Sequence, residues 1–316
     1  MRFYRGSGGF AEEIEQSVLT LGNFDGVHVG HQQIFKRVIG RSAELGAPSI
    51  VYTFEPHPLK VLQPGKFFPL ITTIDEKRRI IEKVGIDILI CEDFTREFAL
   101  KSPPDFVKEI LHERLKAHEI FIGPDYRFGI RREGNAGLLK TLGKKWGIET
   151  VILDDIKMDG VEVRSTTIRT YIQRGKVREA SRLLGRFYSL EGEVIRGKGR
   201  GKPLGIPTAN LRPNKELFPA SGIFAVWVFF QGKRFPGVLN IGTNPTFRDQ
   251  ELSLEVYIMD FHDEIYGENL RIEFVEKLRD EKTFPDAGAL VEQIQRDIGK
   301  AREVLGGNSS RSPGTL

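Results

Sequence analysis

Gly22-Asn23-Phe24-Asp25-Gly26-Val27-His28-Val29-Gly30-His31 follows the short apolar run Val18–Leu21 and leads into a helix-patterned stretch from about Gly30 to Leu45. A strand that ends in a glycine-rich turn and hands over to a helix is the opening unit of an open parallel sheet. Such sheets bind ligands beyond the carboxyl ends of their strands, where a helix start offers unpaired N–H groups to an anion. Gly22, Gly26 and Gly30 let the backbone approach phosphate oxygens closely. His28 and His31, three apart, can both serve one site and donate hydrogen bonds to charge building on a phosphorus under attack. The glycine spacing matches neither a dinucleotide-binding fingerprint nor a P-loop. Read as zinc ligands, the two histidines have no cluster of further Cys or His to complete a shell.

Outward from this turn, the first half keeps alternating strand and helix. Ser49–Phe54 reads as a strand, stopped by Glu55-Pro56-His57-Pro58, where two prolines forbid continuation of strand or helix. Asp75–Val84 is a helix with acids in its first turn, Ile86–Cys91 a buried strand, Pro103–Leu115 a helix, Glu119–Ile122 a strand, Leu138–Trp146 a helix and Thr150–Leu153 a strand. The alternation predicts a doubly wound α/β domain.

Past Arg164 the style changes. Thr166–Arg174 and Val177–Leu184 form two short helices around Gly175. Short β segments then follow with Gly/Pro turns between them: Tyr188–Arg196, Pro207–Leu211, Ile223–Phe230, Lys233–Asn240, Leu252–Asp260 and Leu270–Leu278. They predict a small antiparallel β-barrel, closed by an amphipathic helix over Phe284–Leu305. The expected organisation is therefore an α/β domain over 1–185, a barrel domain with a C-terminal helix over 186–305, and a disordered tail over 306–316.

Composition bounds the function. The 47 Lys and Arg against 43 Asp and Glu leave a net charge of +4, with the basic residues scattered among the acids. This is not the concentrated stripe of a nucleic-acid binder. No window approaches the roughly 18 apolar residues of a membrane span, and the N-terminus has no apolar signal-peptide core. The single cysteine, Cys91, allows no internal disulfide, which fits a reducing cytoplasm.

The densest motif is Gly197-Lys198-Gly199-Arg200-Gly201-Lys202-Pro203-Leu204-Gly205-Ile206-Pro207-Thr208-Ala209-Asn210. Glycines alternating with cations suit a polyphosphate; a basic hairpin loop is the plainer reading. Thr208 and Asn210, two apart on an extended segment, face the same way. Each offers a neutral oxygen of the kind Mg²⁺ accepts while keeping several waters.

These motifs carry a resemblance. The turn looks like the Gly-x-Phe-Asp-x-x-His-x-Gly-His signature of the nucleotidyltransferase superfamily, in the version found in prokaryotic bifunctional riboflavin kinase/FAD synthetases. Arg164-Ser165-Thr166-Thr167-Ile168-Arg169 resembles that superfamily's Ser-Ser-Thr-x-Ile-Arg, with Arg164 where a small hydroxyl residue is usual. Gly123-Pro124-Asp125-Tyr126-Arg127-Phe128-Gly129 is similar to the family's flavin-side loop. A surface turn with core aromatics is the alternative there. In the second half, Pro207-Thr208-Ala209-Asn210 resembles the riboflavin kinase signature. Asn240–Phe247 and Glu255–Phe261 resemble that family's following blocks, with Tyr257 in place of a histidine, and Leu278–Phe284 its final turn.

The resemblance implies a Rossmann-like nucleotidyltransferase domain and a kinase barrel, acting in sequence. The barrel makes FMN and ADP from riboflavin and ATP, and the first domain makes FAD and pyrophosphate from FMN and ATP. His28 and His31 then stabilise the transferring and leaving phosphates. Gly22, Asn23, Phe24, Asp25, Gly26, Ser165, Thr166 and Arg169 hold nucleotide in the first domain, and Gly197, Lys198, Gly199, Arg200, Gly201 and Lys202 in the second. Asp125, Tyr126, Phe128, Asn240 and Arg279 contact flavin. Thr208 and Asn210 hold Mg²⁺. Glu255 is the general base that takes the ribityl hydroxyl proton, by positioning; a solvated strand glutamate is its plainer reading. His57 lines the first site.

Overall fold

The computed structural model describes residues 1–10, 12–197, 205–246 and 249–307, without the side chains of 243–246 and 249–252. Two compact units emerge, Met1–Arg164 and Ser165–Leu316. The division coincides with the change of sequence style past Arg164, ahead of the two short helices, whereas the expected domain boundary at 185/186 lies after them.

The first unit opens on β1 (Arg2–Arg5) and β2 (Ser17–Leu21), followed by α1 (Val29–Leu45), β3 (Ser49–Glu55), α2 (Pro58–Leu62), α3 (Ile74–Val84) and β4 (Ile88–Asp93). Next come α4 (Pro103–Asp105), running on as a π-helix over Phe106–Arg114, then β5 (Ala117–Ile122) and the two-residue strands β6 (Arg127–Phe128) and β7 (Gly134–Asn135). It closes with α5 (Ala136–Lys144), β8 (Glu149–Ile152) and the short pair β9 (Lys157–Met158) and β10 (Val161–Glu162). The main sheet is parallel, in the order β1-β4-β3-β2-β5-β8.

That order positions the site. From β2 the chain winds to one side through β3 and β4, then returns to place β5 on the other flank of β2. The carboxyl end of β2 is therefore a topological switch point, where open α/β sheets leave a crevice. Every residue of β2 is buried. Leu19 and Leu21 pack on one face of the sheet and Val18 on the other, in two core clusters. Each such apolar side chain contributes about 1.5–3 kcal/mol on burial, so the strand that carries the turn is anchored on both faces.

The helices begin where local chemistry starts them. Thr73 and Glu76 form a reciprocal capping box on α3, and Gly85 ends it in the left-handed region. The prolines after β3 act differently from expectation: the strand does stop, yet Pro58 is the first residue of α2, a position where its missing N–H costs nothing.

The second unit begins with α6 (Ser165–Gln173) and α7 (Val177–Leu184), and α7 packs on the barrel. The barrel strands are β11 (Tyr188–Ile195), β12 (Ala209–Pro213), β13 (Gly222–Phe230), β14 (Lys233–Thr246), β15 (Asp249–Ile258) and β16 (Asn269–Arg279). They close in the order β11-β12-β15-β14-β13-β16. Alternation fills the interior with Leu190, Val194, Phe224, Val226, Leu239, Ile241, Leu254, Val256, Ile272 and Phe274. Outward-facing Ile223, Ala225, Trp227 and Val238 are covered by Ile298, Ala301 and Leu305 of α8 (Ala287–Gly307). That helix runs two residues into the segment expected to be tail.

Candidate active sites

The turn after β2 is held from beneath. Asp25, 3% exposed, accepts hydrogen bonds from the Ile71 N–H at 3.0 and 3.2 Å and from the Thr72 N–H at 3.2 Å. The Gly26 N–H donates to Thr72 Oγ1 at 3.0 Å. Asp25, read from sequence as a nucleotide contact, is thus occupied in binding the 71–72 backbone. Phe24 also differs from expectation. Its ring is buried, edge-on to Phe35 and His31 with centroids 5.0 and 5.1 Å away, so only its backbone is left for a nucleotide. Phe24 and Val27 adopt φ of 47° and 40°. For a β-branched residue this is strained, at a cost of about 1–3 kcal/mol that the surrounding packing must overcome. The turn is a built shape.

His28 is 6% exposed and caps α1, its Nδ1 accepting from the His31 N–H at 3.3 Å. A ring nitrogen that accepts carries no proton, so in the neutral ring Nε2 is the donor. The His28 and His31 rings stack at 3.5 Å between centroids, 20° from parallel. A Cβ on Gly30 would come within 3.1 Å of the His28 ring, so the stack leaves little room for a side chain there. The structure brings the two histidines together at the helix start.

His57 is the N-cap of α2, accepting from the Leu59 N–H at 3.2 Å. Of the flavin-side segment, Asp125 is exposed and Tyr126 half-buried, while Phe128 is 7% exposed and packs on Phe106. Phe128 is a core aromatic, and what it offers a ligand is support for Tyr126, stacked on it at 5.6 Å. Burial pushes the Tyr126 hydroxyl well above the usual phenol range. Arg164, the departure from the family pattern, faces three carboxylates: Asp155 at 2.6 Å, Glu162 at 3.0 Å and Asp125 at 3.8 Å. Its charge is neutralised locally, with Asp155 the main cause of its raised pKa. Ser165, Thr166 and Arg169 occupy the first turns of α6 in the second unit; Thr166 is exposed and Arg169 buried.

The barrel gathers a second constellation on its outer face. Glu255 on β15 is paired in register with Asn210 on β12 and with Asn240 on β14. The three lie side by side across neighbouring strands. Thr208 Oγ1 donates to Glu255 Oε2 at 3.3 Å, and Ser253 Oγ donates to Oε1 at 3.1 Å. A Cβ on Gly197 would sit 2.1 Å from Asn210 Nδ2, so the glycine leaves the room that the amide occupies. Asn240 Oδ1 is buried and has no hydrogen-bond partner among the described residues. Lys198, Gly199, Arg200, Gly201 and Lys202 lie outside the described residues. Tyr257 packs into the cluster under α8.

Arg279 differs from its expected flavin contact. Nε donates to both oxygens of Asp297 at 3.0 Å and Nη2 to Oδ2 at 2.7 Å, while Nη1 donates to the Asp280 carbonyl. Its fork fastens α8 to the barrel.

Sequence reasoning missed Lys77, whose Nζ donates to the carbonyl of Asn23 at 2.8 Å from behind the turn. The signal available was spacing: Lys77 lies three after Ile74 and four before Ile81, on the inward stripe of α3.

Two family models match this chain. A family described as FAD synthetase matches residues 10–167, and one described as riboflavin kinase matches residues 184–305. Over 301 residues the chain is 35% identical to the bifunctional riboflavin kinase/FMN adenylyltransferase of Buchnera aphidicola subsp. Acyrthosiphon pisum, covering 94% of this chain and 96% of that one. The protein of the same description from Escherichia coli K12 is 34% identical, covering 92% and 94%. That from Pseudomonas fluorescens is also 34% identical, covering 98% and 100%. A crystal structure described as a macrolide-efflux protein from Streptococcus pneumoniae superposes with a TM-score of 0.88 at 30% identity, covering 96% and 99%. No helix among the described residues of this chain is long and apolar enough to cross a membrane.

Proposed function

The chain belongs to the bifunctional riboflavin kinase/FMN adenylyltransferase family, phosphorylating riboflavin and adenylylating FMN, and from that premise we propose which residues carry each step. The observation that bears most weight is Glu255, set between Asn210 and Asn240 with a hydroxyl on each carboxylate oxygen. Glu255 takes the proton from the ribityl 5′-hydroxyl as that oxygen attacks the γ-phosphorus of ATP, and ADP leaves. Two hydroxyl donors hold the carboxylate in one orientation, so its contribution comes from placement.

Thr208 and Asn210 would hold Mg²⁺. The donor set fits: a hydroxyl and an amide oxygen are hard, neutral ligands, and the amide occupies space that the glycine at 197 leaves open. When bound, the ion neutralises charge on the transferring phosphates.

In the N-terminal unit a phosphate oxygen of FMN attacks the α-phosphorus of ATP and pyrophosphate leaves. The stacked His28 and His31 stabilise the charge on the phosphates; the Gly22 and Gly26 N–H groups donate to the Tyr52 carbonyl and to Thr72 Oγ1, so these glycines serve the nucleotide through the shape of the turn. Support comes from the placement of the two stacked rings at the start of α1, where a helix N-terminus favours an anion. The Ser165, Thr166 and Arg169 assignment to ATP phosphates rests on the sequence signature, and Asp125 and Tyr126 are assigned to the flavin side of adenylylation. The single cysteine supports a cytoplasmic setting.

The assay is to supply riboflavin and ATP with Mg²⁺ or with a chelator, and to separate the flavins. FMN followed by FAD and pyrophosphate is expected with the ion and neither product without it. Full turnover in chelator would remove the metal assignment.

A further inference from the structure

We propose that Lys77 is a positioning residue for adenylyl transfer, its ammonium fixing and polarising the Asn23–Phe24 peptide so that the Phe24 N–H is presented to the nucleotide. The inference rests on the reading of the Gly22–His31 turn as the adenylylation site.

Lys77 is 5% exposed. Its Nζ donates to the Asn23 carbonyl at 2.8 Å and to Thr53 Oγ1 at 3.4 Å, and forms no ion pair among the described residues. The ionisable groups whose fields act on it are Asp25, Glu55 and Cys91. Asp25 is taken up by the Ile71 and Thr72 N–H groups, and the Cys91 thiol is pushed up to about 11 by burial, so it carries no charge near neutral pH. The ammonium is thus desolvated without a direct counter-ion, an arrangement that lowers its pKa and opposes folding.

Satisfying the carbonyl does not require it. Thr53 Oγ1 already donates to Asn23 O at 3.2 Å, and one neutral donor is enough for a buried carbonyl. The cation is an addition to a complete hydrogen bond. Its effect is electrical and directional. Thr53 and Lys77 are both buried, so the Asn23 carbonyl points into the protein. In a planar trans peptide the following N–H points the opposite way, which turns the Phe24 N–H outward, on the side of exposed Asn23. A positive charge on the carbonyl oxygen adds to the peptide dipole, making that N–H a stronger donor to an anion. Fixed dipoles of this kind stabilise developing charge without reorganising.

The test uses the full chain with Lys77→Met and Lys77→Gln, the second keeping a neutral donor. For both, kcat for FMN adenylylation should fall by about 30-fold, with KM for FMN within about twofold. Riboflavin phosphorylation should be unchanged and the thermal midpoint equal to or above that of the parent. A Lys77→Gln enzyme of parental kcat would overturn the electrical role. A midpoint that falls in step with kcat would mean the lysine serves the fold alone. His31→Ala, measured alongside, separates the two levels: full FAD synthesis in that variant sinks the site itself, whereas full synthesis in the lysine variants alone sinks only this inference.

Discussion

The two regions assigned to phosphate are built from opposite materials. The N-terminal turn is a shape of the backbone, with strained residues at 24 and 27, braced by Asp25 and Lys77 from inside. In the barrel the groups proposed to act are side chains of three neighbouring strands, Asn210, Glu255 and Asn240, whose spacing follows from β register. A backbone cradle tolerates no change in the path of the chain, yet few of its own side chains react. A cross-strand row leaves the path ordinary and places the chemistry in replaceable atoms. Substitutions should therefore fail differently in the two regions.

The sharpest contrast is Glu255→Ala. Loss of a positioned base typically costs 10²–10⁴-fold, so riboflavin phosphorylation should drop by about 10³-fold while FMN-to-FAD conversion continues at the parental rate. Equal loss of both, seen by chromatography of the flavins, would break the picture of separate chemistries. His31→Ala is the mirror case, with a fall of about 10²-fold in FAD synthesis and FMN formation intact.

A third change concerns stability. Asp297→Ala strands the Arg279 guanidinium, 14% exposed, without its buried partner. Breaking such a pair costs about 3 kcal/mol, so the barrel should unfold at lower denaturant while FMN adenylylation, measured below that transition, is unaffected. An unchanged midpoint would mean that α8 is held by apolar packing alone.

The smallest effect is a pH slope. Lys77 has a lowered folded-state pKa, so between that value and the unfolded one the unfolded chain binds more protons, and stability rises with pH. Across alkaline pH the parent should gain on Lys77→Met. Parallel stability curves for the two would contradict it.

Much of this was legible in the residues, and the failures share a cause. Alternating apolar runs specified β2 to β5 and the barrel strands because burial leaves a periodic trace. The edge strand β1 has the sequence Arg-Phe-Tyr-Arg, charged at both ends, and exists through its register with β4. Motifs picked out both candidate sites but do not say which of their side chains are taken up by other parts of the protein. Asp25, Phe128 and Arg279 read as contacts, yet each is turned inward by a partner distant in sequence: Ile71, Phe106 and Asp297. Lys77 escaped notice for the converse reason, as a charged residue in a polar-looking helix whose burial depends on where α3 sits.

Arg164 makes its neighbourhood depend on a single charge. Asp125, Asp155 and Glu162 all lie within 4 Å of its guanidinium. Replacing Arg164 by serine would leave three carboxylates gathered with no cation between them, and groups now drawn together would repel one another.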